Sequence, residues 1–241
     1  MIVAHNETGV IQNLKPLADL CTQYGVPLLV DAVQAVGKIP VSFRSLNATA
    51  LAFGAHKFHG PRGIGGLLLR KGVKLPVFLE GGHQESGRRA GTEAVPLIAG
   101  MARALECFDN DADEITASVA NFRNQLQQQL TDSCAPAFVH GAKAPRLPNT
   151  LSIAFPGVDG EAMLVSLDLC GIACSLGSTC ASGSAEPAPA LLAMGCDPDI
   201  GRSSVRFSLS RETTVEEVQN AAARISEVVQ RLRSVPTGMQ S

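Results

Sequence analysis

The chain has 241 residues, 45% of them hydrophobic, 17% charged and only 4% aromatic, with a net charge of −2. That supports one large domain or a domain and a half with a mostly aliphatic core. It leaves no basic stripe for direct nucleic-acid binding and no apolar run near the ~20 residues of a membrane span. Seven cysteines without a CxxC pair fit free thiols in a reducing cytoplasm better than a disulfide framework. The first residues lack the basic start of a signal peptide.

Residues 1–4 read as a short buried strand that opens with no element before it. Over 14–24, Leu14, Leu17, Ala18 and Cys21 share a helical face, and Gly25 is placed to end the helix. Residues 27–30 form an apolar run that ends in Asp31. Strand, helix and apolar strand make a βαβ unit, whose strands belong to parallel sheets. A further strand is expected at 65–69, a loop rich in glycine and charge at 76–92, and a helix at 93–107.

The pattern changes near 108. A long amphipathic helix is expected at 111–131, with Ile115, Val119, Phe122, Leu126 and Leu130 on one face. Leu151, Ile153 and Phe155 alternate as in a half-buried strand, and so do residues 205–209. A last helix begins at Thr214, which forms a capping-box pattern with Glu217. The tail after Pro236 is expected to be disordered. The chain therefore divides into an α/β part at 1–107 and a smaller α+β domain at 108–241.

Some residues could carry chemistry. Asp31 ends a buried strand, the edge where α/β sheets bind ligands, although a carboxylate there also caps turns. Gln34 lies close by. Lys57 sits in Gly54-Ala55-His56-Lys57 before a glycine-rich turn; it reads either as a Schiff-base lysine or as a surface charge. His56 and His59 have no accompanying carboxylate at a metal-site offset, so no metal is expected. The glycines at 63, 65 and 66 precede no helix and are not a dinucleotide fingerprint. Cys180 lies in the small-residue loop GSTCASGS at 177–184, where a thiol is exposed and is either inert or nucleophilic. Arg206 stands on its strand opposite Val205 and Phe207, as a surface charge or a carboxylate clamp.

Taken together, the stretches HNETGVIQ (5–12), VDAVQAVGKIPV (30–41), GAHKFHGPRGIGGLLLR (54–70), GRRAGTE (87–93), GSTCASGSAEP (177–187) and SSVRFSLSRETT (203–214) resemble the cysteine desulfurases of the NifS/IscS type. These belong to the fold type I, class V pyridoxal-phosphate enzymes. The stretches follow family order and cover nearly the whole chain. The resemblance implies an α/β fold: the C-terminal part of an aspartate-aminotransferase-like large domain, followed by a small α+β domain. It implies pyridoxal 5'-phosphate as cofactor, with Lys57 as its Schiff-base lysine and Asp31 as partner of the pyridine nitrogen. Gln34 is similar to the residue that bonds the ring hydroxyl, and His56 to a phosphate ligand. Thr92 resembles the threonine that reaches the phosphate of a second subunit, which implies a homodimer. Asn6 and Arg206 resemble the pair that positions L-cysteine, Arg206 gripping its carboxylate.

Cys180 matches the nucleophile that takes the sulfur as a persulfide, in the long-loop class of the family. The resemblance implies delivery to a sulfur acceptor or iron–sulfur scaffold protein, or to tRNA thiolation. No resident metal is implied, and Cys180 is the thiol expected to ligate an iron–sulfur cluster transiently.

Three departures from the family pattern stand out. Gly54 replaces a phosphate-binding hydroxyl, and Ser86 stands where arginine is frequent. The chain also begins inside the family's large domain, without the phosphate-cradling loop and the histidine that stacks on the ring. It is therefore expected to be N-terminally truncated and, alone, to bind the cofactor poorly. Two alternatives stay open: a truncated fragment or pseudo-enzyme acting by association, and a selenocysteine lyase or other class V enzyme.

Overall fold

The computed structural model describes residues 1–176 and 187–234, so the tail after Pro236 lies outside the described residues. The residues group into two units: Met1–Ala4 with Gln12–Asp113, and His5–Ile11 with Glu114–Ser241.

In the first unit, α1 (Lys15–Gln23) buries Ala18 and is preceded by the buried Leu14. It ends at Gly25, whose φ of +64° suits a residue without a Cβ. There the Val26 N–H donates to the Cys21 carbonyl at 2.8 Å and the Gly25 N–H to Thr22, which satisfies carbonyls the helix leaves free. The chain then enters β1 (Leu29–Asp31). Val30 packs with Leu14, Ala18, Leu28 and Leu51 in one aliphatic core. After the short α2 (Phe43–Leu46), capped by Ser42, β2 (Ala50–Gly54) runs parallel to β1. β3 (Gly65–Leu69) returns antiparallel to β2. The sheet is thus mixed, because the connection over 55–64 is too short for the crossover a parallel return needs. In place of the continuous strand expected at 1–4, Ile2 makes an isolated parallel bridge to Asp31, flanked by Val3 N–H to Asp31 O at 2.8 Å, and Ala4 is again in a bridge.

The loop after β3 contains one turn, α3 (Gln84–Gly87), with Glu85 and Ser86 in the left-handed region. α4 (Val95–Asp109) lays Met101, Ala104 and Leu105 against Ala55 and Phe58. Gly37 follows β1 at a φ of +73°, and a Cβ there would stand 2.2 Å from the Phe58 Cβ. This approach presses the loop after β1 onto the turn after β2.

The longer segment of the second unit begins in α5 (Ala112–Ser133), which buries Val119, Leu126 and Leu130. Four antiparallel strands follow in the spatial order β4-β5-β7-β6. They are β4 (Phe138–Val139), β5 (Thr150–Ala154), β6 (Ser175–Leu176) and β7 (Ser204–Ser208). Between them lie α6 (Gly160–Leu169), α7 (Pro189–Ala193) and α8 (Pro198–Arg202), and α9 (Val215–Ser234) closes the chain. β5 is buried at every position, between α5 and α9 residues and Met163 and Leu167 of α6. The capping box at α9 is reciprocal: Glu217 accepts from the Thr214 N–H at 2.8 Å, and Thr214 Oγ1 accepts from the Glu217 N–H at 3.2 Å. Arg233 near the end of α9 donates to the carbonyls of Cys134, Ala135, Pro136 and Pro156, tying the helix to the end of α5.

Alanine at position 37 would combine left-handed strain with overpacking against Phe58. Gly37→Ala is expected to lower stability by about 2–4 kcal/mol in urea unfolding. A loss under about 0.5 kcal/mol would mean that the loop yields freely.

The buried His140 bonds Ser204 Oγ through Nε2 at 2.8 Å, and Ser204 Oγ in turn donates to Ile200 O. Ser204 therefore accepts, and Nε2 carries the proton. Burial holds His140 below its ordinary 6.5. The unfolded chain binds a proton that the folded chain refuses, so stability falls as pH drops below about 6.5 and this contribution is complete above it. Unfolding at pH 7.5 and 5.5 should show a larger acid loss for the native chain than for His140→Gln; equal losses would contradict the assignment.

Candidate active site

The parallel pairing of β1 and β2 brings their C-terminal ends to one sheet edge. Asp31 is the last residue of β1 and is exposed. Its Oδ1 accepts from the Val33 N–H at 2.8 Å, so the turn-capping role open to an aspartate here is filled, and Oδ2 is left for a ligand. Asp31 pairs with Ala52, and the alternation of the strand sets Gly54 on the same face. Gly65 of β3 stands opposite Gly54. The carboxylate is therefore bordered by a shelf of small residues.

β2 runs straight into the single 3-10 turn Ala55–Lys57. Its buried members are Ala55, and then Phe58, which α4 and Gly37 hold from below, while His56 and Lys57 point outward and are exposed. Among the described residues neither the Lys57 amine nor the His56 ring has a hydrogen-bond or ion-pair partner. A Cβ on Gly54 would stand 3.3 Å from His56 Cε1, so glycine here leaves room for the imidazole. Gln34, in the loop after β1, accepts from Lys38 Nζ at 2.7 Å through Oε1. Thr92 is exposed and follows Gly91, whose N–H donates to Gln84 Oε1 at 3.1 Å. Asp31, Gln34, His56 and Lys57 are thus gathered on the loops at one edge. Thr92 lies in a separate, exposed loop.

Pyridoxal phosphate needs an amine for its aldehyde, a carboxylate for its ring nitrogen, a flat surface and donors for its phosphate. The uncommitted Lys57, Asp31 beside the Ala52–Gly54 shelf, and the free His56 ring fit that set.

In the second unit, Asn6 lies in the turn formed by His5–Ile11. His5 Nδ1 accepts from the N–H groups of Glu7 and Thr8 at 3.3 and 3.4 Å, and Leu147 N–H donates to Gly9 O at 2.8 Å. Arg206 is the centre of β7 and faces away from the buried Val205 and Phe207. Its Nη1 donates to the Asn6 carbonyl at 2.8 Å and its Nη2 to Ser175 Oγ at 3.0 Å. Arg206 and Asn6, paired in the sequence reading, therefore touch, and Ser175 and Lys38 are partners that reading missed. The β6 strand that carries Ser175 is only two residues long, so no periodicity announces it.

Cys180 lies outside the described residues. Burial, and then the Asp168 carboxylate, push the Cys174 thiol up to about 11. Burial and Asp197 also raise Cys196. Both thiols are poorly nucleophilic near neutral pH. The described residues contain no His, Cys, Asp and Glu group able to hold a metal ion, and no helix among them is long and apolar enough to cross a membrane.

The chain is 43% identical to a cysteine desulfurase of Enterobacter agglomerans over 98% of its length, but it spans only 58% of that relative. Among solved structures, it is similar to a NifS-like protein (TM-score 0.85, 35% identity, 96% of this chain and 60% of that one). It is also similar to a NifS-like protein from Rickettsia africae (TM-score 0.87, 28% identity, 95% and 61%). Residues 1–221 match the family model described as aminotransferase class-V. With that match running along most of its length, the chain belongs to the class-V aminotransferase family.

Proposed function

We propose that the chain carries the chemistry of a pyridoxal-phosphate-dependent cysteine desulfurase, taking sulfur from L-cysteine and leaving L-alanine. The observation that supports this most is that two parallel strands end at one edge beside a shelf of small residues, β1 in Asp31 and β2 in the turn that carries the uncommitted Lys57. The likeness to curated cysteine desulfurases supports the choice of reaction.

In this reading Lys57 would be the residue that holds the cofactor through its aldehyde, and its amine would carry a proton to and from the substrate carbon. Asp31 keeps a proton on the ring nitrogen by its negative charge. Pyridoxal phosphate, when bound, supplies the electron sink for the substrate carbon joined to it. Gln34 donates to the ring hydroxyl, and His56 binds the phosphate. Thr92 serves the phosphate held by a second copy, so a homodimer is part of the proposal. In the second unit, Arg206 and Asn6 orient the cysteine carboxylate. The Cys180 thiolate attacks the substrate sulfur, the carbon–sulfur bond breaks with its electron pair going to carbon, and a proton completes alanine. The sulfur stays on Cys180 as a persulfide for an acceptor or iron–sulfur scaffold protein.

The nucleophile is tested by Cys180→Ser. The variant is expected to keep the cofactor's visible absorbance and to lose both persulfide and alanine formation. Alanine formed at the native rate would place the nucleophile elsewhere, and loss of the cofactor would make Cys180 structural.

A further inference from the structure

β7 aligns Arg206 with a serine on each side: Ser152 of β5 and Ser175 of β6 are its cross-strand partners. Cross-strand partners share a face of the sheet. Ser152 is 1% exposed, whereas Ser175 is half-buried. The guanidinium is fixed at both terminal nitrogens, by Asn6 O on Nη1 and Ser175 Oγ on Nη2. Among the described residues its Nε is buried without a partner, so none of them orients the plane through that nitrogen. Each terminal nitrogen carries two N–H groups and has given one to the protein. The others stay available, held in a set plane. The Asn6 carbonyl alone would leave the plane free to swing about that one bond.

Building on the reading of Arg206 as the substrate-carboxylate residue, we propose that Ser175 is a positioning residue that fixes the Arg206 guanidinium plane for two-point binding of the substrate carboxylate. Serine suits the task because its short side chain accepts the bond from the neighbouring strand. A planar fork binds a carboxylate well only when its orientation is set. Loss of the hydroxyl therefore acts on carboxylate binding and leaves the chemical step alone.

The test uses the holo-protein with L-alanine as a carboxylate probe that holds no sulfur, together with L-cysteine turnover. Ser175→Ala is expected to raise the L-alanine Kd and the cysteine KM by about tenfold, the scale of one charge-assisted hydrogen bond. Its kcat should stay within about twofold of native. The Arg206 guanidinium NMR signals should show faster rotational averaging. Ser175→Thr restores all three, whereas Ser175→Val, matched to threonine in shape, behaves like alanine; this comparison remains decisive where the alanine variant folds poorly. Valine equal to threonine overturns the proposal. So does Ser175→Ala with native affinity and native Arg206 signals while Arg206→Lys weakens L-alanine; the role of Arg206 then stands alone. Unchanged L-alanine affinity in Arg206→Lys removes that role and the proposal with it.

Discussion

Gly37 lies so close to Phe58 that a Cβ would stand 2.2 Å from the phenylalanine Cβ. Phe58 is in turn buried against Ala55 and Ala104. The loop after β1 and the turn after β2 are therefore locked to each other over α4, and the parallel pairing beneath them fixes the register Asp31 to Ala52. The site's geometry in the first unit depends on this lock. Asp31 and Lys57 are far apart in sequence, and what brings both to one edge is a positive-φ glycine, a buried ring and a three-residue strand. The charged groups add little to that framework: among the described residues the Asp31 carboxylate binds its own turn, and Lys57 and His56 have no partners. Stability comes from the apolar residues below the edge, and the polar residues above it are left for a ligand.

The second unit follows a different plan. Its core is wrapped around β5, which is buried throughout and pairs with β7 at Arg206. The His5–Ile11 turn belongs to this unit and is bound to it by the Leu147 N–H and by Arg206 itself. Arginine and turn thus form one assembly, and the half-buried Cys174 and Cys196, whose thiols are raised, sit outside the reactive range.

Much of the fold was legible where a pattern spans several turns. The helices expected at 14–24, 93–107 and 111–131 appear at Lys15–Gln23, Val95–Asp109 and Ala112–Ser133, and the strand at Gly65–Leu69 has the expected bounds. The Thr214–Glu217 capping box was readable because its chemistry is local. What escaped was set by tertiary pairing. β2 is Ala-Leu-Ala-Phe-Gly, with no β-branched residue, and forms because β1 and β3 flank it. α6 is apolar on most sides, so no amphipathic stripe marks it; Asp159, whose side chain accepts from the Ala162 N–H, was the available signal. A strand was expected at 1–4, but the segment makes isolated bridges at Ile2 and Ala4 and no continuous strand. Asp31, His56 and Lys57 could be named from sequence only through their glycine-rich surroundings and the family likeness. Their gathering at one edge follows from β2, which the sequence conceals.

The claim that this edge holds the cofactor is tested most directly by reducing the pyridoxal-phosphate-loaded protein with borohydride and mapping the modified peptide. The account expects the pyridoxyl group on Lys57, in the peptide that contains His56 and Phe58. A pyridoxyl group on any other lysine would contradict it.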